Sequence, residues 1–381
     1  MQRLRLGMAG LGAASRQILP QIKNVLGLEL AAGADIRKEA LEEFKVQYHA
    51  RAFPSVQEMC QSDEIDAVWI ATPNIFHAEH AVIAAESQKH IIVEKPMALT
   101  LEEADRMISV AERSKVKLVQ GHSKLYDAPV RKIMEVVREG NLGRLIQINT
   151  WNFNDWLQRP RIASEVDTAL GGGIVYRQGP HQTDIVRGIG GGMVKSVRAI
   201  TGRWDPHFHT EGNYTAFLQF EDGTAATMVF NAYGYFDITE LTWGIGEGGN
   251  VAPLPQHRER LTGAVEAKAK YGMLSHAEMR RERRHQPFFG LTVVSCERGV
   301  IRQSPDGVYL YTQEGRKEIP VSKNLGRAAE LRELYEGVIQ DRPVFPDGRW
   351  GKATLEVCLA ILQSARENRE ITLSCQIPCS M

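Results

Sequence analysis

The stretch LRLGMAGLGAAS, residues 4–15, decides the fold of the N-terminal third of this 381-residue chain. LRLGMAG is an apolar run typical of a buried strand, and GLGAAS at residues 10–15 continues from its last glycine and opens a helix. Glycines at this point allow a tight turn and a close backbone approach to a pyrophosphate at the helix N-terminus. Ser15 replaces the usual third Gly or Ala. The pattern predicts dinucleotide binding, with a structural turn as the alternative, through Gly10, Gly12, Ala13 and Ser15.

Four more apolar runs in the first third have the composition of strands: LELAAGAD, AVWIATP, HIIVEKP and VKLVQGH. Helical spacing lies between them, at residues 39–49, 78–87 and 101–114. Thr100 and Glu103 form a predicted capping box at the start of the last helix. Strands that alternate with helices predict a doubly wound parallel sheet, and we assign residues 1–123 to a Rossmann-type, dinucleotide-binding domain.

The pattern changes from about Leu145 to longer alternating strands: LIQINTWNF, VKSVRAITGRW and YTAFLQFEDGTAATMVFNAYG, the last with a turn at residues 221–223. A charged, helical insertion is predicted at residues 251–286, and LEVCLAILQSARENREITL predicts an amphipathic helix followed by a strand. We therefore assign residues 124–381 to a second domain with a mainly antiparallel sheet. The predicted fold class is α/β followed by α+β.

Composition narrows the classes of partner. The chain has 46 Lys and Arg against 46 Asp and Glu, so it lacks the basic excess expected of a protein that coats nucleic acid or an anionic membrane. No apolar run approaches the roughly 18 residues of a transmembrane helix, and a strand pattern begins at once, which argues against a signal peptide. The five cysteines form no CxxC pair or zinc-type cluster. We expect a cytoplasmic protein with small-molecule partners, no disulfides and no metal.

The second predicted strand ends at Asp35, which bears on the choice of cofactor. A carboxylate at this position accepts hydrogen bonds from the ribose hydroxyls of NAD and repels the 2′-phosphate of NADP. Arg37 and Lys38 follow, and their charges offset that repulsion. We therefore predict NAD, bound with Asp35 and Arg37, and keep NADP as the alternative.

Two further loops follow predicted strands and face the ligand crevice of a parallel sheet. In the first, Thr72 and Asn74 are placed to border the nicotinamide and its ribose, and Pro73 and His77 complete the loop. The alternative for Asn74 is an N-cap at a helix start. The second loop is EKP at residues 94–96. A lysine held at the sheet edge beside an X-Pro bond is poorly explained by solubility, so we add Glu94 and Lys95 to the cofactor-facing set.

The order GLGAAS, ATPN with His77, EKP, and GGG with His181 and Asp184 resembles the Gfo/Idh/MocA family of nicotinamide-dependent oxidoreductases. The resemblance covers nearly the whole chain. It implies an N-terminal Rossmann domain and a C-terminal open sheet, with substrate on one face and commonly a subunit contact on the other, hence a homodimer or homotetramer. It further implies that Lys95 contacts substrate and cofactor and that His181 accepts the proton of the substrate hydroxyl. A satisfied buried histidine is the alternative for His181.

The motif departs from the family at Arg177, where many polyol and sugar members have Asp. The planar guanidinium suits a carboxylate or phosphate on the substrate, and Arg159 and Arg161 are expected to add positive charge to the same pocket. The alternative is a structural ion pair between Arg177 and either Asp167 or Asp184. The predicted substrate-binding residues are therefore Lys95, Arg159, Arg161, Arg177 and His181.

Two stretches, SEVDTALGGGIVYRQGPHQTDIVR and FFGLTVVSCERGVIRQSPDGVYLY, are similar to the 4,5-dihydro-4,5-dihydroxyphthalate dehydrogenase branch of the family. This resemblance implies oxidation of a carboxylated cis-dihydrodiol ring to a catechol, with hydride transfer to the nicotinamide and a role in phthalate degradation. A sugar-acid or inositol-like polyol dehydrogenase is the alternative within the enzyme class. A nucleotide-binding sensor without turnover is the alternative outside it.

Overall fold

The computed structural model describes residues 2–251, 284–322 and 326–380. The chain divides into two compact units. The first unit comprises residues 2–123, 326–355 and 380, and the second comprises the other described residues from 124 to 379. The first unit's N-terminal segment ends at residue 123, where the sequence-based boundary also lies. The sequence-based second domain, residues 124–381, includes residues 326–355, which the structure places in the first unit.

The first unit contains a six-stranded parallel sheet. Its strands are β1 (Leu4–Ala9), β2 (Leu28–Ala34), β3 (Arg51–Phe53), β4 (Ala67–Ile70), β5 (His90–Glu94) and β6 (Leu118–Gly121). They lie in the order β3-β2-β1-β4-β5-β6, as in a doubly wound fold. β4 is buried at every residue because both faces of a parallel sheet are covered, which explains its continuous apolar sequence.

Helices connect the parallel strands of the first unit. They are α1 (Ala13–Ile18), α2 (Lys38–Tyr48), α3 (Val56–Gln61), α4 (His77–Glu86) and α5 (Leu101–Arg113). The predicted capping box at the start of α5 is confirmed: Thr100 accepts from the Glu103 amide, and the Glu103 side chain accepts from the Thr100 amide. This pair satisfies amides that the first turn of a helix leaves without intrahelical partners.

The returning segment completes the core of the first unit. Helix α9 (Arg327–Ile339) places Leu331 and Leu334 in one buried apolar cluster with Trp69, Ile92 and Val119 of the sheet. The following helix in the described chain, α10 (Gly348–Glu367), has its residues up to Leu355 in the first unit and the rest in the second. The predicted C-terminal helix and strand are both present, the strand as residues 371–372.

The second unit contains a nine-stranded sheet. Its strands are β7 (Leu145–Phe153), β8 (Val194–Gly202), β9 (Asn213–Phe220), β10 (Ala225–Asn231), β11 (Leu291–Cys296), β12 (Gly299–Gln303), β13 (Gly307–Thr312), β14 (Gly315–Pro320) and β15 (Ile371–Thr372). The order is β14-β13-β12-β11-β7-β10-β9-β8-β15, and every neighbouring pair is antiparallel except β7 and β10. The predicted turn at residues 221–223 joins β9 to β10, with Gly223 at φ +89°.

One face of this sheet is covered by helices. The helices of this region are α6 (Ala128–Glu139), α7 (Gly173–Arg177) and α8 (Gly179–Ile189), of which α6 and α8 pack on the sheet. α8 is buried at every residue. The opposite face leaves apolar side chains in solvent, among them Ile200 at 66% and Phe217 at 46% exposure. The helical insertion predicted at residues 251–286 lies almost wholly outside the described residues.

The described helices include none that is long and apolar enough to cross a membrane. Within the same residues, no cluster of three or more His, Cys, Asp or Glu side chains has the arrangement of a metal site.

Candidate functional site

The glycine turn after β1 is sterically fixed. Gly10 has φ +88°, and a Cβ placed on it would lie 2.7 Å from the carbonyl oxygen of Ala71, at the end of β4. Gly12 is the N-cap of α1, so the chain turns into the helix within three residues of the strand. Ser15 is fully buried, and its hydroxyl donates to the Gly12 carbonyl (2.7 Å). Because Gly10 and Gly12 have no side chains, a pyrophosphate could approach the backbone of this turn closely.

Asp35 follows β2 and is held against this turn. It accepts hydrogen bonds from the amide of Leu11 (2.9 Å) and from the amide and guanidinium of Arg37 (2.9 Å each). Burial raises the pKa of Asp35, but these hydrogen bonds and the charge of Arg37 lower it by more, so the pKa lies below its ordinary value and the group is a carboxylate. The guanidinium of Arg37 thus forms an ion pair with Asp35 in this structure.

His77 joins the two loops that follow β4 and β5. Its Nδ1 lies 2.8 Å from the Pro96 carbonyl oxygen, its Nε2 lies 2.9 Å from that of Thr72, and its side chain is buried. Asn74 is buried in a short 3-10 turn whose N-cap is Pro73, without a side-chain capping bond. Asn74 is thus the first residue of the 3-10 turn.

The EKP loop begins at the end of β5. Glu94 is buried and accepts a hydrogen bond from Arg327 (2.7 Å), while Lys95 is half-buried and precedes a cis bond to Pro96. Because β1, β2, β4 and β5 are neighbours in the sheet, their carboxyl ends bring the predicted cofactor residues of the first unit to one edge. No local sequence pattern points to Arg327, since it lies more than 200 residues from Glu94.

The three glycines at residues 171–173 are each required by geometry. Gly171 and Gly173 have φ +72° and +82°, and a Cβ on Gly172 would lie 2.6 Å from the Ser164 carbonyl oxygen. A Cβ on Gly173 would collide with Glu211, whose carboxylate accepts from the Val175 amide (3.0 Å). Burial raises the pKa of Glu211. This buried carboxylate fixes the start of α7, and no sequence signal pointed to it.

His181 lies near the start of α8 and is 6% exposed. The imidazole ring of His181 and the phenyl ring of Phe289 pack edge to face, with their centroids 5.2 Å apart. The ammonium of Lys124 lies 5.4 Å from the centroid of the same phenyl ring. Asp184 is fully buried, and its charge acts on Arg187. Burial lowers the pKa of Arg187 to about 10, against the opposing effect of Asp184. His181 therefore packs against an apolar side chain, Phe289, and the sequence did not predict this contact.

Arg177 has a carboxylate partner that differs from both predicted ones. Its Nη2 lies 2.5 Å from Oε1 of Glu165, a side chain that is only 4% exposed. Asp167 instead accepts from the Ala169 amide, and the charge of Asp184 acts on Arg187. The prediction of an ion pair with Asp167 or Asp184 is therefore wrong in its partner, because Glu165 lies in the turn that packs against α7.

Arg159, Arg161 and Arg177 are linked through their charges, since Arg159 and Arg177 both act on Arg161. Arg159 pairs with Asp155 (2.8 Å), whereas Arg161 stacks on the Trp156 ring at 4.0 Å and donates from Nε to the Trp156 carbonyl (3.0 Å). The pKa of Arg161 falls to about 9, first because of burial and then because of Arg159 and Arg177.

We call Arg159, Arg161 and Arg177 the arginine cluster. Its three guanidinium groups are matched by two carboxylates, Asp155 and Glu165, and Arg161 has no carboxylate partner among the described residues. The cluster therefore carries one excess positive charge in a partly desolvated place, and an anionic group would relieve that excess.

The Rossmann sheet, its glycine turn and the acidic residue after β2 define a dinucleotide-binding protein. Residues 4–122 match the model of an oxidoreductase family with an NAD-binding Rossmann fold, and residues 130–245 match the GFO/IDH/MocA C-terminal domain. The chain belongs to the Gfo/Idh/MocA family of oxidoreductases, and its cofactor is NAD.

Three similar proteins indicate the range of the family around this chain. The 1-carboxy-3-chloro-3,4-dihydroxycyclo hexa-1,5-diene dehydrogenase of Comamonas testosteroni is 33% identical over 95% of each chain. An inositol 2-dehydrogenase/D-chiro-inositol 3-dehydrogenase of Lacticaseibacillus casei is 30% identical, over 65% of this chain and 71% of the relative. A solved structure from Bordetella bronchiseptica RB50 that carries a dehydrogenase name has a TM-score of 0.89 at 39% identity, covering 98% of this chain and 100% of that one.

Proposed function

We propose that this protein is an NAD-dependent dehydrogenase of a carboxylate-bearing ring diol. The observation that carries the proposal is the arginine cluster with its one excess positive charge. A neutral polyol brings no charge to balance the cluster, whereas a ring carboxylate brings one and matches the planar donors of Arg161. The relative from Comamonas testosteroni supports the same class, because its name describes a ring with one carboxyl group and adjacent hydroxyls.

The charge balance favours a substrate with one carboxylate over a phthalate-type dianion. Arg159 and Arg177 are already paired with Asp155 and Glu165, so a single substrate carboxylate beside Arg161 brings the cluster to neutrality. A second carboxylate would have to displace Asp155 or Glu165, which are 6% and 4% exposed, at the cost of leaving that buried charge uncompensated. We therefore place the 4,5-dihydroxyphthalate-type diol behind a monocarboxylated diol.

His181 and Lys95 have separate roles in the proposed reaction. Bound NAD supplies the hydride acceptor. His181 would take the proton of the substrate hydroxyl at an imidazole nitrogen, as the carbon that bears this hydroxyl is oxidised to the level of a ketone. Lys95 would contact the substrate, as the family resemblance implies, and the Phe289 ring packs against His181 at a centroid distance of 5.2 Å. Tautomerisation of the ketone then yields a catechol ring.

The residues of the first unit fit the adenosine end of the cofactor. Gly10 and Gly12 leave room for the pyrophosphate, with Ala13 and Ser15 opening the helix behind it. Asp35 is charged and half-enclosed by Arg37, which supports a preference for NAD over NADP. Thr72 and Asn74 would border the nicotinamide end, with Pro73 and His77 setting the shape of their loop.

We further propose that the protein is a homo-oligomer that associates through the open face of the nine-stranded sheet. That face exposes Ile200 and Phe217, and an uncovered apolar sheet surface commonly marks a subunit contact. A cytoplasmic location stays a prediction.

A substrate panel tests the proposed function. Purified protein with NAD is mixed with a carboxylated cis-dihydrodiol, the matching diol without a carboxyl group, myo-inositol and a uronate, and NADH absorbance is followed. We expect turnover of the carboxylated diol to exceed that of the uncharged diol by at least about tenfold in kcat/KM. Faster turnover of inositol or a uronate would favour the polyol or sugar-acid alternative. NADH binding with no turnover of any compound would favour the nucleotide sensor.

A further inference from the structure

The buried side chain of Glu94 is occupied by a partner within the first unit. Its Oε1 accepts a hydrogen bond from Nη1 of Arg327 at 2.7 Å, and the side chains of Glu94 and Arg327 are 7% and 14% exposed. Arg327 is the first residue of α9. The returning segment thus supplies a cation to the residue that immediately precedes Lys95.

A second carboxylate contacts the same nitrogen of the guanidinium. Glu330, one turn along α9, is fully buried and lies 3.3 Å from Nη1 of Arg327. The guanidinium also lies 6.0 Å from the centroid of the Trp69 ring in β4. Burial lowers the pKa of Arg327, and the charges of Glu94 and Glu330 raise it by more, so the pKa is raised overall and the group stays charged. Removing one partner from such a buried set leaves an uncompensated charge, which is costly.

The EKP loop is therefore held on both sides of its lysine. Arg327 fixes Glu94, and His77 contacts the carbonyl oxygen of Pro96 at 2.8 Å. We infer that Arg327 is a positioning residue for Lys95, acting through Glu94, and that Glu94 serves this anchor instead of contacting the cofactor. The inference rests on the proposed function in one respect, that Lys95 contacts the substrate.

The test compares Arg327→Met and Arg327→Lys with a matched control, Arg342→Met. Arg342 pairs with Glu333 and Glu336 on the same helix, so its loss removes an ion pair from α9 without touching Glu94. We expect Arg327→Met to lower kcat by about 10²-fold, as a small misplacement of a catalytic group does, with the NADH Kd changed by less than about threefold. Arg327→Lys should recover part of kcat, because it keeps the charge without the planar fork. Arg342→Met should leave kcat unchanged.

A second measurement needs no substrate. Lysines are reductively methylated with ¹³C, and the Lys95 signal is assigned with Lys95→Arg. The signal should move in Arg327→Met and stay in place in Arg342→Met. Should Arg327→Met fail to fold, Glu94→Gln replaces it, since glutamine keeps the acceptor oxygen but not the charge. An unmoved Lys95 signal, or an NADH affinity that falls as far as kcat, would overturn the inference. If wild-type protein turns over no substrate, the proposed function fails while the NMR comparison still decides the role of Arg327.

Discussion

Replacement of Arg161 by Met should remove selectivity for a carboxylated substrate while leaving the fold intact. Arg161 stacks on Trp156 and has no carboxylate partner in the described part of the chain, so its loss strands no buried anion. Truncating one member of a desolvated charge pair costs about 2–5 kcal/mol. Because Arg159 and Arg177 still contribute positive charge, we expect the lower part of that range, about 2–3 kcal/mol, which is roughly 30- to 150-fold in kcat/KM. Met matches the apolar stem and keeps contact with the Trp156 ring.

Arg177→Met is the informative comparison, because its consequences are of another kind. Glu165 is 4% exposed and would lose its cation, so this variant should lose about 3–5 kcal/mol of folding free energy. We expect a clear fall in Tm and a loss of turnover on charged and uncharged diols alike. Arg161→Met should instead keep the wild-type Tm and its activity on the uncharged diol.

The assay is NADH absorbance with the carboxylated diol and with its carboxamide, run beside thermal melts of each variant. Arg161→Lys is the charge-keeping control and should recover little, because an ammonium cannot offer two parallel donors. The reasoning is refuted if Arg161→Met loses the same factor on acid and amide. It is also refuted if Arg177→Met melts like the wild type and loses only the carboxylated substrate, since Arg177 would then read the carboxylate.

Four further predictions concern single residues. In urea unfolding, Gly173→Ala should destabilise the protein by about 1–3 kcal/mol more than Gly191→Ala. Both glycines have positive φ, but a Cβ on Gly191 meets nothing within 4 Å, whereas one on Gly173 collides with Glu211. Equal losses of stability would show that the protein relieves the collision with Glu211. Folding raises the pKa of Glu211. The stability that Glu211 contributes is therefore fully present below the pKa of an ordinary carboxyl group, and it is lost as the pH rises through the pKa of Glu211 in the folded protein. Glu211→Gln should therefore gain in Tm relative to wild type between acidic and neutral pH, and a constant difference would contradict this. Asp35→Ser should raise kcat/KM for NADP by about tenfold relative to NAD, unless wild-type protein already prefers NADP. His181→Ala should lower kcat by about 10²- to 10⁴-fold with NADH fluorescence titrations unchanged, whereas a parallel loss of binding would make the residue structural.

The sequence was sufficient for five of the six strands of the first unit, because each of those five is a short apolar run closed by a turn. It did not predict β3, a three-residue strand that begins with an exposed arginine and has no buried residue. AVWI and HIIVE are buried on both faces, so their composition alone marks them. The capping box at Thr100 was equally local, since its two partners are three residues apart. In the second unit, strand alternation predicted β7 to β10, but the parallel pairing of β7 with β10 is a long-range property that alternation does not carry.

The roles of individual site residues depended on contacts that spacing cannot show. Glu94 follows a strand in the manner of a cofactor ligand, yet its partner Arg327 returns to the first unit from the far end of the chain. His77 follows the ATPN loop, yet both of its ring nitrogens lie against carbonyl oxygens. In each case the local pattern located the sheet edge correctly, and the long-range contact decided what the side chain binds there.

The arginine cluster shows why the nature of a site follows from pairing more than from position. Counting from the glycine triplet placed Arg177 where a carboxylate is usual, which made it the natural candidate for a substrate anion. The structure pairs it with the buried Glu165, and that pairing transfers the unbalanced charge to Arg161. A buried pair resists disruption, whereas a guanidinium that lacks a carboxylate is stabilised by any anion of the right shape. On the proposed function, Arg177 therefore affects recognition through its neighbour: Arg177 pairs with Glu165, and Arg161 is the group proposed to bind the substrate carboxylate.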